Sequence, residues 1–102
     1  MQDFITGKRE EIAELCRTHH VRRLAVFGSA VRDDFDPTRS DIDVLVAFEP
    51  LSPLVLGRSI ESLQDDLEQL LHRPVDLIRE GTIRNSVRLR NIDRDKVLLY
   101  AA

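Results

Sequence analysis

Arg22-Arg23-Leu24-Ala25-Val26-Phe27-Gly28-Ser29 and, after eleven intervening residues, Asp41-Ile42-Asp43-Val44-Leu45-Val46 are the two segments that decide the fold. The first reads as a short apolar strand stopped by a glycine. Gly28 permits backbone angles and close approaches that other residues resist. Ser29 is placed to cap a helical turn through Ala30, Val31, Arg32 and Asp33, whose leading N–H groups and positive end would face a docking anion. Phosphate is the natural guest of such a turn. Taken alone, a Gly-Ser pair after a strand is equally an ordinary turn.

The second segment is rich in β-branched residues, and alternation along a strand puts Asp41 and Asp43 on one face and Ile42, Val44 and Val46 on the other. The later residues of this strand read as buried on both faces. Two carboxylates side by side repel and raise each other's pKa unless a cation neutralises them. Mg2+ suits the pair, because it takes a few carboxylate oxygens and completes its octahedron with water and phosphate oxygens. A third acid stands in another short apolar strand, Pro74-Val75-Asp76-Leu77-Ile78. Asp76 would be costly to bury without a partner. It completes a triad with Asp41 and Asp43, suited to a second metal ion and to accepting the proton of an attacking hydroxyl. An aspartate at a sheet edge is the competing account of Asp76.

The remaining segments supply scaffold. Ile12, Leu15 and Cys16 share one face of a leading helix, with Glu10, Glu11, Glu14 and Arg17 mainly outside, and His19 and His20 close it. Asp33-Asp34-Phe35-Asp36-Pro37-Thr38-Arg39-Ser40 reads as a surface loop whose acids are not ligands. Within it Arg39 and Ser40 are placed either to touch a phosphate or to anchor the loop. Pro50, Pro53 and Gly57 mark a link, and Leu56, Ile60, Leu63, Leu67, Leu70 and Leu71 recur at helical spacing to about Leu71. Ile83, Val87 and Leu89 indicate a last amphipathic helix, and Val97-Leu98-Leu99-Tyr100 an apolar tail docked on the body. The expected order is helix, strand, short helix, strand, helix, strand, helix.

With 102 residues, 42% hydrophobic and 32% charged, the chain is expected to form one domain, residues 1–102. A formal charge of −3 argues against general nucleic-acid binding, although Arg22, Arg23, Arg32 and Arg39 are expected around the site. Cys16 is the single cysteine, which excludes an internal disulfide or a multi-thiolate zinc cluster. The first residues lack the apolar core of a signal peptide, and no stretch approaches the roughly 20 apolar residues of a membrane helix, so a cytoplasmic location is expected.

The Gly28-Ser29 turn, the Asp41-x-Asp43 pair and the later Asp76 together resemble the nucleotidyltransferase superfamily of DNA polymerase beta type. The run from Phe27 through Val46 is more closely similar to the minimal nucleotidyltransferases, the MntA-type antitoxins that pair with HEPN-domain toxins, and the similarity extends across essentially the whole chain. This resemblance implies an α/β (α+β) fold with a small mixed β-sheet flanked by helices. It implies transfer of AMP from ATP to a protein hydroxyl, a tyrosine of a HEPN ribonuclease toxin, with release of pyrophosphate. In that scheme Gly28 and Ser29 hold the β- and γ-phosphates, and Asp41 and Asp43 bind two Mg2+ ions. Asp76 binds the catalytic ion and helps activate the nucleophile, and Arg32 stabilises triphosphate charge. A chain this short has little surface with which to grip an acceptor, so a HEPN partner or a homodimer is expected to supply it. The competing hypothesis is an antitoxin that neutralises its partner by contact alone. An antibiotic-modifying enzyme would need an acceptor-binding domain for which this length has no room.

Overall fold

The computed structural model describes residues 1–32 and 34–102; Asp33, expected at the end of the phosphate turn, lies outside them. A short helix α1 (Asp3–Thr6) precedes α2 (Arg9–Thr18), which leads into strand β1 (Val21–Phe27). A 3-10 turn, Gly28–Ala30, and a loop connect β1 to β2 (Ile42–Phe48). The chain continues through α3 (Pro53–Leu71), β3 (Val75–Arg79), α4 (Ser86–Asp95) and β4 (Val97–Ala101). The four strands lie in the order β3-β2-β1-β4. β1 runs antiparallel to β2 and β4, whereas β2 and β3 are parallel and joined through α3, so the sheet is mixed.

Alternation along the strands sends two sets of side chains into two cores. Leu24, Val26, Ile42, Val44, Val46, Val75 and Leu99 pack with Ile12 and Cys16 of α2 and Leu63, Leu67 and Leu71 of α3. On the opposite face, Ala25, Phe27 and Leu45 pack with Ile92 of α4. β2 is therefore buried on both sides, as its uninterrupted apolar run requires. Cys16 belongs to the first core, and burial pushes its thiol up to about 12, leaving it a small apolar side chain.

Local chemistry sets the boundaries of α3. Ser52 accepts a hydrogen bond from the Val55 N–H, Pro53 occupies the first turn, and His72 ends the helix in the left-handed region at φ 56°. The expected leucine stripe is present, but Gly57, read as part of the preceding link, lies inside the helix. A glycine there costs about 1 kcal/mol against alanine, which the long apolar face outweighs. Two other expectations are corrected. Val97-Leu98-Leu99-Tyr100 is no docked tail but part of a fourth strand, because β1 would otherwise expose a free edge of backbone donors and acceptors. α4 buries Ile92, while Val87 and Leu89 are 55% and 40% exposed, so the apolar stripe expected of Val87 and Leu89 is not its core face.

Candidate active site

The C-terminal end of β1 and the N-terminal ends of β2 and β3 meet at one end of the sheet. Phe27 pairs with Asp43, and Asp43 with Asp76. The parallel register thus puts Asp43 and Asp76 opposite one another on adjacent strands, about 4.8 Å apart in the hydrogen-bonding direction. By alternation both lie on the face covered by α4. β3 is held in this register by α3: the Val75 N–H donates to Glu68 Oε2 at 2.8 Å, and Gln64 Nε2 donates to the Val75 carbonyl at 3.0 Å. Asp41 immediately precedes β2 and is exposed.

Gly28, at φ 71°, turns the backbone at the end of β1. A Cβ at this position would collide with Asp43 Oδ2 and come within 3.2 Å of its Cγ. A glycine is thus required both by the backbone angle and by the carboxylate against it. Burial, followed by the negative charges of Asp76 and Asp41, holds the Asp43 carboxyl above its ordinary value, against the opposing influence of Arg88 and Arg32. Ser29 lies half-buried within the 3-10 turn; it does not cap that turn, because Phe27 occupies the cap position.

A cleft of about 230 Å³ opens here, lined by Phe27, Gly28, Arg32, Asp43, Arg88, Asn91, Ile92 and Asp95. Arg32 spans it toward Asp34 at 3.2 Å and Asp95 at 3.9 Å. Asp95 is held below its ordinary value chiefly by its hydrogen bond with Arg94. Ser40 does not line this cleft. Its hydroxyl accepts from the Asp36 N–H at 2.9 Å and its carbonyl from Arg73 Nη2 at 2.6 Å, so it anchors the loop leading to Asp41. In the same loop Asp36 accepts from the Thr38 N–H and hydroxyl, which lowers its pKa.

Arg22 and Arg23, expected near the site, lie at the opposite end of β1 and pair with Glu49 and Glu80. The antiparallel pairing of Val21 with Phe48 explains this separation. A larger depression of about 370 Å³ at that end is lined by Arg23, Glu49, Leu56 and Glu80, but contains none of Gly28, Ser29, Asp41, Asp43 and Asp76. Sequence reasoning missed Arg88, Asn91 and Asp95. The signal was their spacing from Ile92 on one helix face, legible only once Ile92 was known as the buried position. Among the described residues, no three His, Cys, Asp or Glu side chains converge into a ready-made metal cage.

A family model for the nucleotidyltransferase domain matches residues 9–99. The chain belongs to the nucleotidyltransferase family. Membership makes it a nucleotidyltransferase enzyme, and its four-stranded mixed sheet has the polymerase beta-like fold of its structural neighbours. It is 37% identical over 92 residues to "Putative protein adenylyltransferase MJ0126" of Methanocaldococcus jannaschii, covering 89% of each chain. A solved structure described as a "putative minimal nucleotidyltransferase" superposes with a TM-score of 0.73 at 33% identity, covering 94% of this chain and 95% of that one. Two more distant neighbours share the fold. One, a toxin-antitoxin structure with AMP-PNP, has a TM-score of 0.68 at 22% identity, with 92% and 73% covered. The other, a tri-AMPylated Shewanella oneidensis HEPN toxin in complex with its MNT antitoxin, has a TM-score of 0.62 at 20% identity, with 95% and 72% covered. No helix among the described residues is long and apolar enough to cross a membrane.

Proposed function

We propose that this nucleotidyltransferase transfers AMP from Mg2+-bound ATP to a protein hydroxyl, a tyrosine of a HEPN-type toxin, and thereby acts as an antitoxin. The observation that carries the reading is the register of Asp43 against Asp76, with Gly28 left bare beside the Asp43 carboxylate. An adenylyltransferase relative and fold neighbours that hold AMP-PNP or a HEPN toxin support the donor and the partner.

The residues present fit Mg2+. They are hard oxygen donors, and the pKa of Asp43 is raised first by burial and then by its acidic neighbours, a repulsion that a cation would relieve. Mg2+ sites rarely need an all-protein cage, since one or two carboxylates suffice when substrate phosphates and water complete the shell. Asp41, Asp43 and Asp76 would hold the metal, which when bound neutralises phosphate charge and lowers the barrier to in-line displacement. The chain's own groups do the rest. Gly28 admits the phosphates against the backbone, with Ser29 beside them, and Arg32 adds positive charge at the cleft. The acceptor oxygen attacks the α-phosphorus, and the bond from the α-phosphorus to the bridging oxygen breaks as pyrophosphate leaves. Asp76 accepts the hydroxyl proton.

Binding sites for small molecules commonly measure roughly 300–1,000 Å³. At about 230 Å³ this cleft covers only part of a nucleotide. A partner that closes over the remainder, and brings the acceptor with it, is the economical completion.

The test is transfer of label from α-labelled ATP into protein in a lysate of the source cells, with Mg2+, comparing wild type and Asp43→Asn. Label on one small protein with wild type only is the expected result. If Asp43→Asn neutralises the partner as fully as wild type and neither transfers label, the protein acts by contact alone.

A further inference from the structure

We propose that Arg88, a residue of the α4 wall outside every motif of the sequence, is the cation that binds the triphosphate of the donor nucleotide, in preference to Arg32. The inference rests on the nucleotidyltransferase reading and assigns a residue to it. Four observations carry it.

Arg88 lines the same cleft as Gly28 and Asp43. Among the described residues it has no carboxylate within ion-pair distance, whereas Arg32, the other cleft arginine, is engaged by Asp34 and Asp95. Arg88 also stands in the first turn of α4, where its N–H donates to the Asn85 cap at 2.9 Å. A cation there opposes the positive end of the helix dipole, so the position is locally unfavourable and invites an anionic ligand. Finally, the phase of the helix brings this exposed side chain to the cleft wall. Arg88, Asn91 and Asp95 flank Ile92, which is buried against Ala25, Phe27 and Leu45, so docking of α4 sets this side of the helix along the cleft that Asp43 also lines. A guanidinium is suited to phosphate because it presents several donors in a rigid planar fork.

The experiment measures binding of Mg2+–AMP-PNP and of adenosine by titration calorimetry, using wild type, Arg88→Ala, Arg88→Lys, Arg32→Ala and Arg90→Ala, each first checked for an unchanged melting curve. Arg90, also on α4 but not among the residues lining the cleft, serves as the control. The expected result is at least a tenfold loss of AMP-PNP affinity in Arg88→Ala and partial recovery in Arg88→Lys. Arg90→Ala should stay within twofold of wild type, and adenosine binding should not change in any variant. Wild-type affinity for AMP-PNP in Arg88→Ala, or a tenfold loss in Arg32→Ala alone, would overturn the assignment and leave the enzyme reading intact. Failure of wild type to bind AMP-PNP at all would overturn both.

Discussion

Gly28 is the residue at which one methyl group changes most. At φ 71° an alanine would be strained, by about 1–2 kcal/mol, and its Cβ would push Asp43 Oδ2 aside. Gly28→Ala is expected to lower stability by about that amount and to reduce label transfer at least tenfold, as melting curves and the transfer assay would record. Asp43 acts in the opposite sense on the free protein. Its pKa is raised from the ordinary 3.8, so the folded state holds the proton more tightly than the unfolded chain. The stability this provides is complete below 3.8 and is lost as pH rises through the raised value. Asp43→Asn should therefore melt above wild type at neutral pH in metal-free buffer, with the gap closing in acid. Equal melting temperatures at both pH values would show that the burial and repulsion at Asp43 are fully relaxed by solvent.

At the scale of elements, β3 and β4 show how neighbours complete what local sequence leaves open. β3 is short, and its start is pinned to α3 through Glu68 and Gln64, which sets Asp76 opposite Asp43. β4 covers the outer edge of β1 and sends Leu99 into the core at 5% exposure, while Leu98 is 48% exposed. Leu99→Ala should cost about 2–5 kcal/mol, and Leu98→Ala no more than about 0.5 kcal/mol, in denaturant unfolding. Comparable losses at the two positions would contradict the strand register. α4 is the element that sequence pattern described least well. Its spacing points to Val87 and Leu89 as an apolar stripe, yet the helix is anchored by Ile92 alone among its residues. This shift in helix phase is what brings Arg88 and Asn91 to the wall of the cleft that Asp43 lines.

For the whole molecule, the site is an accumulation of negative charge at one end of an already acidic chain, formal charge −3. Binding of Mg2+ with a nucleoside triphosphate to the native state alone should raise the melting temperature, by the equivalent of about 2.7 kcal/mol at a hundredfold excess over Kd. Chelation should reverse the gain, and Asp43→Asn should show little of it; an equal gain in the variant would place the ligand elsewhere. The strand ending at Gly28, the strand bearing Asp43 and the long helix to Leu71 were determined by the sequence alone. Their signals are local: an apolar run, a residue tolerant of positive φ, and a stripe at helical spacing. Asp43 opposite Asp76, β4 on the edge of β1, Arg22 and Arg23 far from the site, and Arg88 beside it were decided only by tertiary structure. Register, edge pairing and helix phase depend on contacts between residues distant in the chain, and the physical reason they stay hidden is that burial of Leu99 or Ile92 is a property of the assembled sheet, not of the residues beside them.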